Sequence, residues 1–213
     1  MNQKKRGILI VFSGFSGSGK GTVMKELIHR YPDYYALSVS ATTRKPRALE
    51  EDGREYFFKT REEFEEMIAK NELIEYALYV ENYYGTPKEY VEKQLEAGKD
   101  VILEIEIQGA LKVKQKYPDT LLLFVTPKSA DILKERLLGR GTESKEAVDK
   151  RLSRSSEEAL GVEAYDYLII NDTIAECVNE VHSIIQNEHH RVSRNQEFIN
   201  RMKEELKLFS KGE

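Results

Sequence analysis

The chain has 213 residues, 33 Lys and Arg against 37 Asp and Glu, a formal net charge of −4, and one cysteine, Cys177. That length buries a substantial core in one domain with insertions. The mild acidity argues against broad nucleic-acid or anionic-membrane binding, and a lone cysteine excludes an intrachain disulfide. No apolar run reaches membrane-spanning length, and the run at 8–12 is too short for a secretory leader. A cytoplasmic chain with no membrane or nucleic-acid partner is expected, with Cys177 an inert core residue.

Residues 8–22 read Ile-Leu-Ile-Val-Phe-Ser-Gly-Phe-Ser-Gly-Ser-Gly-Lys-Gly-Thr. An unbroken apolar run suits a parallel strand covered on both faces. The glycines that follow can turn tightly and aim backbone N–H groups at an anion. Helical character from Thr22 to Arg30 places a positive helix end at the same point, and Lys20 adds a full charge. Gly14, Gly19 and Lys20 fit the Walker pattern, whereas Gly21 stands where Ser or Thr is usual and Thr22 follows one residue late.

Tyr31-Pro32 breaks this helix, and residues 35–41 read as a strand. Thr42 to Arg54 is a loop carrying Arg44, Lys45, Arg47 and Arg54. After a short strand at Tyr56 to Phe58, Thr60 with Glu63 forms a capping box for a helix bearing Phe64, Met67 and Ile68 inward. Leu73 to Val80 is rich in strand formers. Asn82 to Thr86 reads as a turn into Pro87, a good first helical residue, and that helix ends near Gly98.

Val101 to Ile107 reads as a core strand with Glu104 and Glu106 on one face, since strand side chains repeat every second residue. Helix over 108–116, strand over 121–125 and helix over 130–138 follow. Gly139-Arg140-Gly141-Thr142 then suggests a hinged cationic flap leading to Lys150, Arg151 and Arg154. A last strand at 166–171 and a helix at 174–188 close the core. Phe198, Met202, Leu206 and Phe209 recur at helical spacing, a stripe expected to pack against the body or a partner subunit. The βαβα succession predicts an α/β fold of P-loop NTPase type, a parallel sheet with helices on both faces and ligands at the strand carboxyl ends. Its expected parts are a core at 1–36, 89–137 and 159–190, a small mixed α+β insertion at 37–88, a lid at 138–158 and a helical extension at 191–213.

Two arginine groups beside one P-loop suit a reaction that joins two polyanions. A monophosphate acceptor is already mostly ionised, with a second pKa of about 6, so no general base is needed. The stretches Ser13 to Lys20, Ser38 to Arg47, Asn82 to Thr86 and Gly139 to Thr142 make the chain resemble the guanylate kinases over about residues 7–188. That resemblance implies transfer of a phosphoryl group from ATP to GMP or dGMP with Mg2+. It implies an ATP site of Gly14, Ser16, Gly17, Ser18, Gly19, Lys20, Gly21, Thr22 and Asn171. Arg44, Arg47, Tyr56 and Tyr84 match positions at the GMP phosphate, and Ser40, Glu75, Thr86 and Glu106 match positions around guanine. Lys20, Arg44, Arg136, Arg140 and Arg151 match catalytic positions, and Glu104 an acid that holds the metal, through water.

Glu75 also has a physical case of its own. A carboxylate accepts from guanine N1–H and the 2-amino group, and adenine offers neither donor, so discrimination on the order of 10⁴ is within reach. Three departures from the family stand out: Phe15 for Pro, Gly21 for Ser, and Glu104 and Glu106 where many members carry Asp. Rival readings are a phosphopeptide-binding scaffold without catalysis, and a kinase for AMP, UMP or a phosphorylated sugar. Either a monomer or a homodimer fits.

Overall fold

The computed structural model describes residues 5–79, 81–139 and 145–210. Five parallel strands form the main sheet: β1 (Leu9–Gly14), β2 (Tyr35–Leu37), β7 (Asp100–Leu103), β8 (Leu121–Thr126) and β9 (Tyr167–Ile170), in the order β2-β7-β1-β8-β9. β7 is buried throughout, as are β1 and β8 apart from their end residues, which is why they read as continuous apolar runs.

Alternate side chains serve the two faces of this sheet. Ile10, Phe12, Ile102 and Leu123 meet α1 (Lys20–Arg30) and α7 (Ile174–Glu188) through Val23, Leu27, Val178 and Val181. Val11, Val101, Leu103 and Leu122 meet α3 (Lys88–Glu96) and α4 (Ile107–Lys116) through Val91, Leu95, Ala110 and Val113. Cys177 lies in the first layer, and burial pushes its thiol up to about 11, as an inert core residue requires.

A second, four-stranded mixed sheet inserts between β2 and β7, in the order β4-β3-β6-β5: β3 (Ser40–Thr42), β4 (Tyr56–Phe58), β5 (Leu73–Tyr79) and β6 (Asn82–Pro87). α2 (Arg61–Ala69) covers it with Phe64, and Thr60 and Glu63 complete the expected capping box. α5 (Ala130–Leu138) and α6 (Lys145–Ala159) pack together through Leu133, Leu137 and Val148 beside β1. The lid motif Arg140 to Thr142 lies outside the described residues.

Three expectations need correction. The single strand at 35–41 is two strands: Leu37 pairs with Ile102 in the main sheet and Ser40 with Tyr56 in the small one. Asn82 to Thr86 is not a turn but strand β6, and Pro87 is the N-cap of α3 rather than its first residue. The strand expected to run to Ile107 stops at Leu103, because the chain leaves the sheet where α4 must begin. Of the two coverings expected for the stripe on α8 (Gln196–Ser210), the body is not the one: Phe198 is 55 % exposed and Phe209 81 %.

Candidate active site

At the carboxyl end of β1 the chain enters the glycine loop. Gly19 is the N-cap of α1 at φ +87°; it brings no capping side chain, and the first helical turn carries no acidic residue. The positive end of the helix is thus left for an external anion. A Cβ on Gly14 would lie 2.3 Å from the Val125 carbonyl oxygen, and one on Gly19 2.4 Å from Asn171 Nδ2, so close approach requires glycine at both.

Three side chains tie the loop down. Asn171, buried beyond the end of β9, donates from Nδ2 to the Ser18 carbonyl at 2.8 Å. Arg136 of α5 donates to the same carbonyl at 3.1 Å and to the Asn171 carbonyl at 3.0 Å. Arg151 of α6 donates to Ser16 Oγ at 3.0 Å. Phe15, the departure from proline, stands edge-on to Phe124 at 4.9 Å and packs with Leu133, Leu137 and Val148. The phosphate loop and the two lid-side helices therefore share one apolar cluster.

Residues 104–106 form an irregular segment between β7 and α4, so the expected strand alternation does not govern Glu104 and Glu106. Ser13 Oγ donates to the Ile105 carbonyl at 2.6 Å and fastens this segment to β1. Glu104 Oε1 lies 3.9 Å from Lys20 Nζ. A Cβ on Gly21 would stand 4.0 Å from the same oxygen, so the residue in the Walker hydroxyl position faces this carboxylate. Glu106 is the N-cap residue of α4 but makes no cap bond; its carboxylate accepts from Arg154 of α6 instead.

The small sheet contributes a second set. Between β5 and β6 the register slips: Leu73 faces Pro87 and Tyr76 faces Gly85, so β5 carries one extra residue. Such a bulge re-aims a side chain. Leu73 and Ile74 are both buried, and Glu75 turns toward Thr86, whose Oγ1 donates to Glu75 Oε1 at 2.8 Å. Burial pushes the Glu75 carboxyl above the usual carboxylate range, with Thr86 and Lys112 acting in the opposite sense. Its Oε2 would lie 3.7 Å from a Cβ on Gly109, in the first turn of α4, which links the small sheet to the loop of Glu104 and Glu106.

In the β3–β4 loop, Arg44 Nη2 donates to Glu50 at 3.0 Å and the Arg47 amide donates to Glu50 Oε2 at 2.8 Å. The Arg47 amide and then the Arg44 guanidinium hold the Glu50 carboxyl below its usual range against the opposing effect of burial. Arg44 lies 5.3 Å from the Tyr56 ring centroid, Tyr56 and Tyr84 are 6.0 Å apart, and Ser40 is the register partner of Tyr56. Arg44, Tyr56, Tyr84 and Ser40 are thus one cluster, with Arg47 exposed at its rim.

The structure accordingly groups the P-loop residues with Lys20, Glu104, Arg136, Arg151 and Asn171, and Arg44 with Tyr56 and Tyr84; Glu75 and Thr86 form a bonded pair. Arg140 lies outside the described residues. Sequence reasoning missed Glu50 and Glu158, and it named Arg154 only as part of the cationic flap, without its bond to Glu106. Arg151, Arg154 and Glu158 recur at helical spacing on one face of α6 and could have been found that way; nothing local marks Glu50.

Fold and glycine loop together define a P-loop α/β protein with a mixed-sheet insertion. The family model for guanylate kinase matches residues 6–188. A guanylate kinase of Caldanaerobacter subterraneus subsp. tengcongensis is 49 % identical over 205 residues, covering 96 % of this chain and 99 % of that one. One of Streptococcus pyogenes serotype M3 is 52 % identical over 190 residues, covering 89 % and 90 %. The crystal structure of guanylate kinase from Anaplasma phagocytophilum matches with a TM-score of 0.70 at 30 % identity, covering 90 % of this chain and 91 % of that one. The chain belongs to the guanylate kinase family.

Proposed function

We propose that this chain, an ATP:GMP phosphotransferase by family, converts GMP, and dGMP as well, by positioning and charge neutralisation without a general base. The observation that carries the reading is the Glu75–Thr86 pair, a half-buried carboxylate turned by a bulge and already accepting one bond. Its remaining lone pairs suit the adjacent N–H donors of guanine, and adenine would leave them unpaired. Ser40 and Glu106 complete the base contacts. Arg44 and Arg47, with the hydroxyls of Tyr56 and Tyr84, take the GMP phosphate; guanidinium forks match phosphate oxygens in a way a lysine cannot.

On the donor side, Gly14 and residues 16–22 cradle the ATP phosphates at the bare end of α1. Lys20 exchanges part of its attraction to Glu104 for the outer phosphates. Asn171 supports the loop beneath the nucleotide, and Arg136, Arg140 and Arg151 neutralise charge that develops on the transferring group. Among the described residues no group of three His, Cys, Asp or Glu side chains could hold a metal. Glu104 fits Mg2+ that arrives with ATP and keeps phosphate and water ligands, and such an ion neutralises charge across the phosphate oxygens when bound. In this reading residues 37–88 form the acceptor half and 138–158 the lid, and closure excludes water that would otherwise hydrolyse ATP. No described helix is long and apolar enough to cross a membrane; we place the protein in the cytoplasm as a monomer or homodimer.

A coupled assay of ADP formation with GMP, dGMP, AMP, UMP and CMP tests the proposal. GMP and dGMP are expected to turn over and the others to lag far behind. Equal turnover of AMP overturns the base assignment.

A further inference from the structure

Helix α6 reaches both halves of the site from one face. Arg151 bonds Ser16 of the phosphate loop at 3.0 Å, and Arg154, three residues on, donates to Glu106 Oε2. Residues three apart share a helix face, so one rigid element touches the donor loop and the acceptor-side acid together. Arg154 is itself oriented, because its Nε donates to Glu158 Oε1 at 3.2 Å one turn further along.

Glu106 needs such a partner. It makes no cap bond to α4, and its side chain is 69 % exposed. A long exposed carboxylate has several rotamers to lose on meeting a ligand, and a bond that selects one of them beforehand lowers that cost. Arg154 is 47 % exposed, so the pair adds little to folding stability and its worth must be sought elsewhere.

We propose that Arg154 is a positioning residue for the acceptor: by holding Oε2 of Glu106 it presents the other oxygen to the N–H edge of guanine. The inference rests on the GMP reading above.

Steady-state kinetics of the full chain test it. Arg154→Ala is expected to raise KM for GMP roughly tenfold, about the cost of ordering one rotamer-rich side chain on binding, with kcat and KM for ATP nearly unchanged and the melting curve where it was. Arg154→Lys should recover part of the loss, since an ammonium reaches Glu106 without the fork that also bonds Glu158. Adding Arg154→Ala to Glu106→Gln should raise KM for GMP no further than Glu106→Gln alone. An unchanged KM for GMP in Arg154→Ala, an equal rise in KM for ATP, or additive effects in the double variant overturns the proposal. Failure of the wild-type chain to phosphorylate GMP overturns the functional reading along with it, whereas wild-type turnover with no Arg154 effect overturns this inference alone.

Discussion

Glu75 and Lys20 show how one side chain acquires a role from its surroundings. Burial raises the Glu75 carboxyl above the ordinary range, so it takes up a proton at a higher pH than a surface glutamate. In the proposed reading the charged form is the one that accepts from guanine. GMP affinity measured by calorimetry should therefore be full above the raised pKa and fall as pH drops through it, before ordinary carboxylates titrate. Glu75→Gln should abolish that pH dependence and most of the GMP-over-AMP preference; a preference left unchanged would disprove the role. The raised pKa also means that the folded chain holds this proton more tightly than the unfolded one. The contribution of Glu75 to stability is thus present at low pH and lost as pH rises through the folded value. In the proposed reading Lys20, in the first turn of α1, takes its charge to the outer phosphates. Lys20→Ala should lower kcat by on the order of 10² to 10³ while GMP still binds, as a turnover assay paired with GMP calorimetry would reveal.

Elements decide where those side chains point. The bulge in β5 places Glu75 against Thr86, and Gly85 across the ladder makes room for it: a Cβ there would lie 2.8 Å from the Glu75 carbonyl oxygen, a backbone atom with no freedom to swing away. Gly85→Ala should cost about 1–3 kcal/mol in urea unfolding and raise KM for GMP with it, since relief of the clash shifts the bulge. If stability falls while KM for GMP stays, the bulge is structural only. At the other end of the site, Phe15 joins the glycine loop to α5 and α6 through Leu133, Leu137 and Val148. Packed clusters transmit displacement, so the positions of α5 and α6 and the shape of the phosphate loop are mechanically linked.

Across the whole molecule, the main sheet lies between two apolar layers and opens at its carboxyl edge, where the ends of β1, β7 and β9 supply the glycine loop, Glu104 to Glu106, and Asn171. The chain beyond α7 is treated unevenly. Arg194 bonds Glu188 and the Asp119 carbonyl, and Asn195 Nδ2 caps the His189 carbonyl, so residues up to Asn195 belong to the body. α8 shows its apolar stripe to solvent. Truncation after Gln196 should leave kcat and the melting temperature of the chain intact; a fall in either, by kinetics and circular dichroism, would show that α8 supports the fold. Size-exclusion chromatography of the same variant reports whether the exposed stripe joins two copies.

The main sheet was legible because its signals are local and strong: unbroken apolar runs for β1 and β8, and glycine spacing before Lys20. The small sheet was harder. Ser38 and Val39 read as strand in continuity with their neighbours, yet the chain changes sheets there, and strand propensity carries no information about which partner a strand finds. Asn82 to Thr86 has turn-like composition but becomes β6 because β3 and β5 offer it ladders on both sides. Residue types and their spacing by themselves determined the phosphate loop and the class of reaction, since those rest on chemistry that a few consecutive residues carry. Tertiary structure alone decided that Glu50 gathers Arg44 and the Arg47 amide, that a bulge aims Glu75, and that Arg154 reaches Glu106. Contacts between residues far apart in the chain depend on which surfaces packing brings together, and no local pattern encodes that.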